Sequence, residues 1–291
     1  MPISSKKIYH WTLLIALAFI WGSSFILMKK GLVVFSDFEV AQFRMALAWL
    51  SLLPFVWKKI WKIDKKHIFP IIIVGLFGNG IPAFLFPISQ TKLDSSLVGI
   101  LNALVPIFTL AIALLFFKIK IKRSQIIGLA IGLLGATSII AYGGINLDNI
   151  HYSYLVICAT ICYAISLNTI KFSLQDMKAI DIAGIAFFVV GPICLGALVC
   201  SDVYEKINTH NENLEAFLYI ILLSTVGTSL ALVMFNHLVK ETTAIFASSV
   251  TYLIPIVAIL WGFIDGETIS LIHIISIVII LSGIYLINKT N

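Results

Sequence analysis

Ten apolar runs joined by short polar connections decide what this chain can fold into. They extend approximately from Trp11 to Leu32, Phe38 to Trp57, Ile68 to Ser89, Ser96 to Phe117, Ser124 to Tyr142, Tyr154 to Ile170, Ile182 to Cys200, Ala216 to Leu238, Ala244 to Ile264 and Ile269 to Ile287. A hydrocarbon core about 30 Å thick is crossed by about 20 apolar residues in a helix, so each run predicts one transmembrane span. Little is left over for a soluble domain. Composition points the same way, with 60% hydrophobic and 12% charged residues, where soluble domains carry about 25% charge. The expectation is an all-α polytopic membrane protein with ten transmembrane helices.

The net charge of +6 would suit a nucleic-acid partner, but the placement of the cations argues against one. Ten alternating spans from a cytoplasmic N-terminus put Lys6, Lys7, Lys58, Lys59, Lys62, Lys65, Lys66, Lys118, Lys120, Lys122, Arg123, Lys171, Lys178, Lys240 and Lys289 inside, 15 of the 20 Lys and Arg. Lys29, Lys30, Lys92 and Lys206 fall outside, and Arg44 lies within a span. The positive-inside bias therefore predicts both termini in the cytoplasm, with the basic loops as topology determinants. Two lysines precede the first run as in a signal peptide, yet no small-x-small site follows and the run continues through Met28, so it reads as an uncleaved span. Cys158, Cys162, Cys194 and Cys200 fall in spans without zinc spacing and read as packing residues. No metal or cofactor is expected.

Five spans per half is an odd number, so two tandem halves enter the membrane in opposite senses. Residues 1–143 and 151–291 are the two inverted repeats. The seam between them carries turn chemistry in Gly143, Gly144, Asn146, Asp148 and Asn149. Three segments match between the halves. Trp21-Gly22-Ser23-Ser24 through Lys29 aligns with Tyr163-Ala164-Ile165-Ser166 through Lys171, Asn102 to Pro106 with Thr251 to Pro255, and Leu133-Leu134-Gly135 with Leu281-Ser282-Gly283. A helical proline has no N–H and pushes on the carbonyl four residues back, here that of Asn102 or Thr251. In a bilayer such a loosened carbonyl is tolerable only against protein or a wet cavity. Pro106 and Pro255 are therefore expected to bend both helices at the same place and to act as hinges or gates.

Polar residues within the spans nominate the interior. Trp21 near mid-depth needs a polar partner, and Ser24 lies beside it. Arg44, about two turns into the second span, is the only strongly charged residue well inside one, so it faces a cavity or pairs with Glu39 or Asp37. Gly78-Asn79-Gly80-Ile81-Pro82 in span three and Ser224 to Ser229 in span eight weaken their helices and read as hinges or cavity walls, with close helix crossing as the other reading. Lys29 is placed to snorkel to the headgroups. His273 reads as a satisfied packing group, His237 as a solvated helix end, and Ser201 to Glu215 as a polar external loop. The candidate substrate-binding set is Trp21, Ser24, Arg44, Asn79, Asn102, Asn168, Thr228 and Tyr252. A fixed guanidinium at Arg44 favours a carboxylate-bearing solute.

Trp-Gly-Ser-Ser-Phe at 21–25, Phe43-Arg44, the Leu-Val-Pro and Leu-Ile-Pro segments and Gly266-Glu267-Thr268-Ile269 follow one another through ten spans. In this order they resemble the EamA family of the drug/metabolite transporter superfamily, over the whole chain and as two tandem repeats. The resemblance implies two inverted five-helix repeats around a central cavity walled by both halves, in the cytoplasmic (inner) membrane of a prokaryotic cell. It also implies export or exchange of small metabolites such as amino acids, or of toxic organic compounds. The glutamate usual between the last two helices of a repeat is Glu267, whereas the first half has Lys118 there; the pair reads as a record of charge-dependent topology.

Together these features describe a permease working by alternating access, and not an enzyme. All 14 acidic residues lie in loops or near span ends, which leaves protons as coupling ion and passive exchange as equal alternatives. An intramembrane enzyme acting on lipid or isoprenoid substrates is the competing reading, but no Asp-x-x-x-Asp, His-x-x-x-His or Ser with a nearby His falls in the spans. A channel would need rings of charge or carbonyl filters. Because both repeats are fused in one chain, the cavity needs no second copy and a monomer is expected.

Overall fold

The computed structural model describes residues 5–117, 123–142, 149–209, 211–242, 244–248 and 250–288. Among these, every regular element is helical. The first half contributes α1 (Ser5–Leu32), α2 (Asp37–Val56), α3 (Lys65–Ile73), α4 (Ile81–Gln90), α5 (Ser95–Asn102), α6 (Val105–Phe117) and α7 (Arg123–Tyr142). The second contributes α8 (Ile150–Ser173), α9 (Ala179–Ala186), α10 (Gly191–Val199), α11 (Val203–Thr209), α12 (Asn211–Ser224), α13 (Ala231–Glu241), α14 (Ala244–Ser248), α15 (Val250–Ile264) and α16 (Leu271–Asn288). Seven described stretches are long and apolar enough to cross a membrane, and an eighth if the pair containing α9 and α10, bent by 45°, is one span. The protein is a multi-pass membrane protein, and helices satisfy their own backbone groups in lipid. The start of α2 shows how locally such an element is specified. Glu39 N donates to Ser36 Oγ at 3.2 Å and Ser36 N to Glu39 Oε2 at 2.6 Å, a reciprocal capping box written as Ser-x-x-Glu.

Two of these stretches are interrupted by π-helical segments. Val74–Gly80 joins α3 to α4, and Thr225–Leu230 joins α12 to α13. The first overlaps the stretch Gly78 to Pro82 that the sequence marks as weak at Gly78, Asn79 and Gly80, and the second covers most of Ser224 to Ser229. Their extra residue per turn opens the hydrogen-bond ladder where a side chain can enter.

Helix packing crosses between the halves. α1 packs on α12 and α15, while α8 packs on α4, the first π segment and α6; α2 lies against α10, α5 against α15, and α7 against α16. Small residues set the close approaches. A Cβ added to Gly135 would come within 2.8 Å of Ile280, and one on Gly283 within 2.5 Å of the Gly132 nitrogen. Ser138 and Ser276 bond across the same pair at 2.9 Å. Contacts gather the connections into two groups. Lys59–Asp181 at 2.5 Å and Lys66–Asp176 at 2.6 Å tie one together; Lys29–Glu267 at 2.8 Å and Lys206–Glu39 at 2.8 Å belong to the other.

Several expectations are corrected. The two prolines do not bend their helices alike. The first helix breaks at Ala103 and Leu104, whose N–H groups reach back only three residues to Ile100 O and Leu101 O, and Pro106 sits in the first turn of α6. There a proline's missing N–H costs nothing, whereas Pro255 lies inside continuous α15. Residues 203–209 of the expected external loop form α11, anchored by Lys206 on Glu39 and over the Phe35 ring at 5.4 Å. Cys162 and Cys194 are buried as packing residues should be, but Cys158 on α8 and Cys200 just past the end of α10 are exposed. Gly143, Gly144, Asn146, Asp148, Lys118, Lys120, Lys122 and Lys289 lie outside the described residues.

Candidate solute cavity

A cavity of about 100 Å³ lies among α1, α2, α8, α13, α15 and the two π segments. A single water needs roughly 10–15 Å³, so the space has room for several waters or a small solute. Of the nominated residues, Trp21, Ser24, Arg44, Asn79, Asn102 and Thr228 line it. Asn168 and Tyr252 do not. The Asn168 amide donates to Thr109 O at 3.0 Å and Ala164 O at 2.9 Å, tying α8 to α6; Tyr252 is buried in the apolar core. Tyr163, Ser166, Asn236 and Thr251 also line the cavity and were not nominated. The repeat alignment carried the signal for three of them, since it pairs Trp21 with Tyr163, Ser24 with Ser166 and Asn102 with Thr251.

The second π segment organises the polar wall. Thr228 Oγ1 donates to Leu223 O, five residues back, at 3.0 Å and accepts from Arg44 Nε at 2.8 Å. Trp21 Nε1 donates to Gly227 O at 3.1 Å, the polar partner that a mid-depth indole requires. Gly227 lets α1 approach, because a Cβ there would lie 2.7 Å from Ser24 Oγ. The first π segment repeats the arrangement with Gly78, where a Cβ would lie 2.3 Å from Ser166 Oγ on α8.

Arg44 is only 9% exposed. The sequence offered Glu39 or Asp37 as its partner, but Glu39 is taken by Lys206 and Ser36. Among the described residues no carboxylate pairs with Arg44; its neighbours are the neutral Thr228 and Tyr163 hydroxyls. Two further buried atoms in the walls, Asn102 Oδ1 and Asn236 Oδ1, are acceptors without a partner among the described residues. The rest of the lining is apolar and aromatic. Trp21 meets Phe235 with ring centroids 4.9 Å apart, and Phe86 stacks on Tyr163 at 5.8 Å.

Toward one end, a buried ion cluster ties the halves together. Glu267, with its side chain 3% exposed, accepts from Lys29 Nζ at 2.8 Å, Ser95 N at 3.1 Å, Ser96 N at 3.2 Å and Ser96 Oγ at 2.6 Å. Its carboxylate therefore sits at the N-terminus of α5, where unpaired N–H groups and the helix dipole favour an anion. Asp265 takes Lys29 at 2.8 Å and Lys30 at 2.5 Å. Lys29 is thus paired, not snorkelling, and Glu267 does more than set topology. Burial works to raise the Glu267 carboxyl, but the bonds from Lys29 and Ser96 outweigh it and hold the group below the usual carboxylate range. Lys29 and Lys30 do the same for Asp265. Burial, with the Glu267 charge nearby, pushes Asp94 up. His273 is satisfied locally, its Nδ1 lying 2.6 Å from Ser270 Oγ and 3.2 Å from Ser270 N.

The profile of the EamA-like transporter family matches the chain twice, over residues 10–141 and 152–289. The inner membrane transporter YedA of Escherichia coli (strain K12) is 25% identical over 280 residues, covering 94% of this chain and 89% of its own. A transporter of Archaeoglobus fulgidus is 24% identical, with 95% and 98% covered, and the transporter YdfC of Bacillus subtilis (strain 168) is 26% identical, with 94% and 90% covered. A solved crystal structure shares the fold with a TM-score of 0.69 at 11% identity, covering 97% of both chains. A polar-walled cavity among apolar helices is what a solute carrier needs, and the double match accounts for nearly all of the chain: it is a membrane transporter and belongs to the EamA-like transporter family.

Proposed function

We propose that the protein is a permease of the prokaryotic cytoplasmic membrane that exports or exchanges small carboxylate-bearing organic solutes, amino acids among them, by alternating access. Its ten spans form two inverted repeats, 1–143 and 151–291, with both termini cytoplasmic and a single chain as the working unit. The reciprocal packing of α1 and α8 on the opposite halves, each against a π segment, supports this arrangement.

The observation that carries the substrate class is Arg44, a buried guanidinium in a cavity wall whose bonded partner Thr228 is neutral. An unpaired buried charge is costly, and a carboxylate is the ligand that relieves it while accepting paired N–H donors. The unpartnered Asn102 and Asn236 oxygens suit an N–H donor on the same solute, and the aromatic walls suit its apolar part. Arg44→Ala is expected to abolish transport of carboxylate solutes in vesicles while the protein still reaches the membrane; unchanged carboxylate transport overturns the reading. Repeating the wild-type assay with and without an imposed pH gradient separates proton coupling from passive exchange.

A further inference from the structure

We propose that the connection between α2 and α3 is a docking surface for anionic phospholipid headgroups. This surface lies away from the cavity and does not rest on the identity of the solute. Lys59 and Lys66 pin the connection to the second half through Asp181 and Asp176. Between and beside them the side chains of Lys58, Lys62 and Lys65 are exposed and make no ion pair or hydrogen bond among the described residues. The same stretch of chain, residues 55–69, carries exposed rings: Trp61 is 80% accessible, Phe69 71%, Phe55 59% and Trp57 54%. The indoles of Trp57 and Trp61, apolar with one N–H, settle at the level of lipid headgroups, while the phenyl rings of Phe55 and Phe69 suit the acyl chains beside them. Lysines held at that level face phosphates and are attracted to an anionic leaflet. A free polyanion such as a nucleic acid would match the charge but leave the rings in water, so the combination favours an acidic phospholipid.

Native mass spectrometry of the purified full-length protein, counting retained phosphatidylglycerol against phosphatidylcholine, tests this. The wild type is expected to retain phosphatidylglycerol in preference. Retention should weaken by about fivefold for each lysine removed in the series K62Q, K58Q/K62Q and K58Q/K62Q/K65Q, while K92Q, at the other group of connections, leaves it unchanged. The single K62Q change lies on an exposed turn, so its effect is readable even if the triple variant folds poorly. Equal retention of both lipids by the wild type, or a phosphatidylglycerol count unaffected by K62Q, overturns the proposal.

Discussion

Thr228 shows how much one hydroxyl can carry. It accepts from Arg44 Nε and donates to the carbonyl that the π turn exposes, so it aims the guanidinium while repairing the backbone. Thr228→Val keeps the shape and removes both bonds. We expect the apparent affinity for a carboxylate solute to fall about tenfold, the scale of one hydrogen bond to a charged group, with Thr228→Ser close to wild type; transport KM in vesicles checks this. Glu267 makes a pH prediction. Its carboxyl titrates lower in the folded protein than its ordinary value of 4.5, so its stabilisation is complete above that value and disappears as pH falls through the depressed one. Glu267→Gln should therefore cost about 2 kcal/mol at neutral pH, and the gap to wild type should close in acid. Thermal unfolding in detergent across that range measures it, and a gap independent of pH would show that the charge is not what matters. That Trp21, Arg44 and Asn79 line an interior cavity was legible because a polar group in an apolar span is conspicuous. Asn168 misled for the same reason: these helices are apolar on every side, so nothing in the sequence says which way an amide points.

At the scale of elements, composition located the two weak segments and left their geometry open. Gly78-Asn79-Gly80 and Thr225 to Thr228 could each have been a kink, a break or a close crossing; only packing against α8 and α1 resolves them as π turns. The proline segments failed more instructively. Their sequences match, yet one helix breaks before Pro106 and the other continues through Pro255. Proline excludes a hydrogen bond without dictating where the chain compensates. Gly22 gives the sharpest test of packing at this scale, because a Cβ there would fall 2.5 Å from Val257 Cβ and 3.1 Å from Ile254 O, atoms that cannot rotate away. Gly22→Leu is expected to force α1 from α15, costing about 3 kcal/mol through overpacking and lowering the yield of folded protein; a melting temperature equal to wild type would show the interface to be looser than this.

Across the whole molecule, the cavity sits between two sets of cross-half ties, Lys29–Glu267–Ser96 toward one end and Lys59–Asp181 with Lys66–Asp176 toward the other. Asp176 is held down to about 2, chiefly by Lys66 and with help from His67, so its carboxylate stays ionised through any physiological pH. Transport by alternating access requires the ties at one end to open while the other set holds. Ser96 on α5 and Gly262 on α15 allow that movement to be blocked. A Cβ on Gly262 would lie 2.2 Å from Ser96 Oγ and 2.4 Å from Glu267 Oε2; with the carboxylate turned aside, and since Oγ is one bond from its own Cβ, the pair approaches the separation of about 3.5–4.5 Å that a disulfide spans. With Cys158, Cys162, Cys194 and Cys200 replaced by alanine, S96C/G262C should form a bond on oxidation that stops transport, and reduction should restore it, while S96C alone responds to neither. Mass analysis establishes that the bond has formed. A fully oxidised double variant that still transports at the reduced rate would mean that α5 and α15 stay together throughout the cycle, and that the solute leaves by another path.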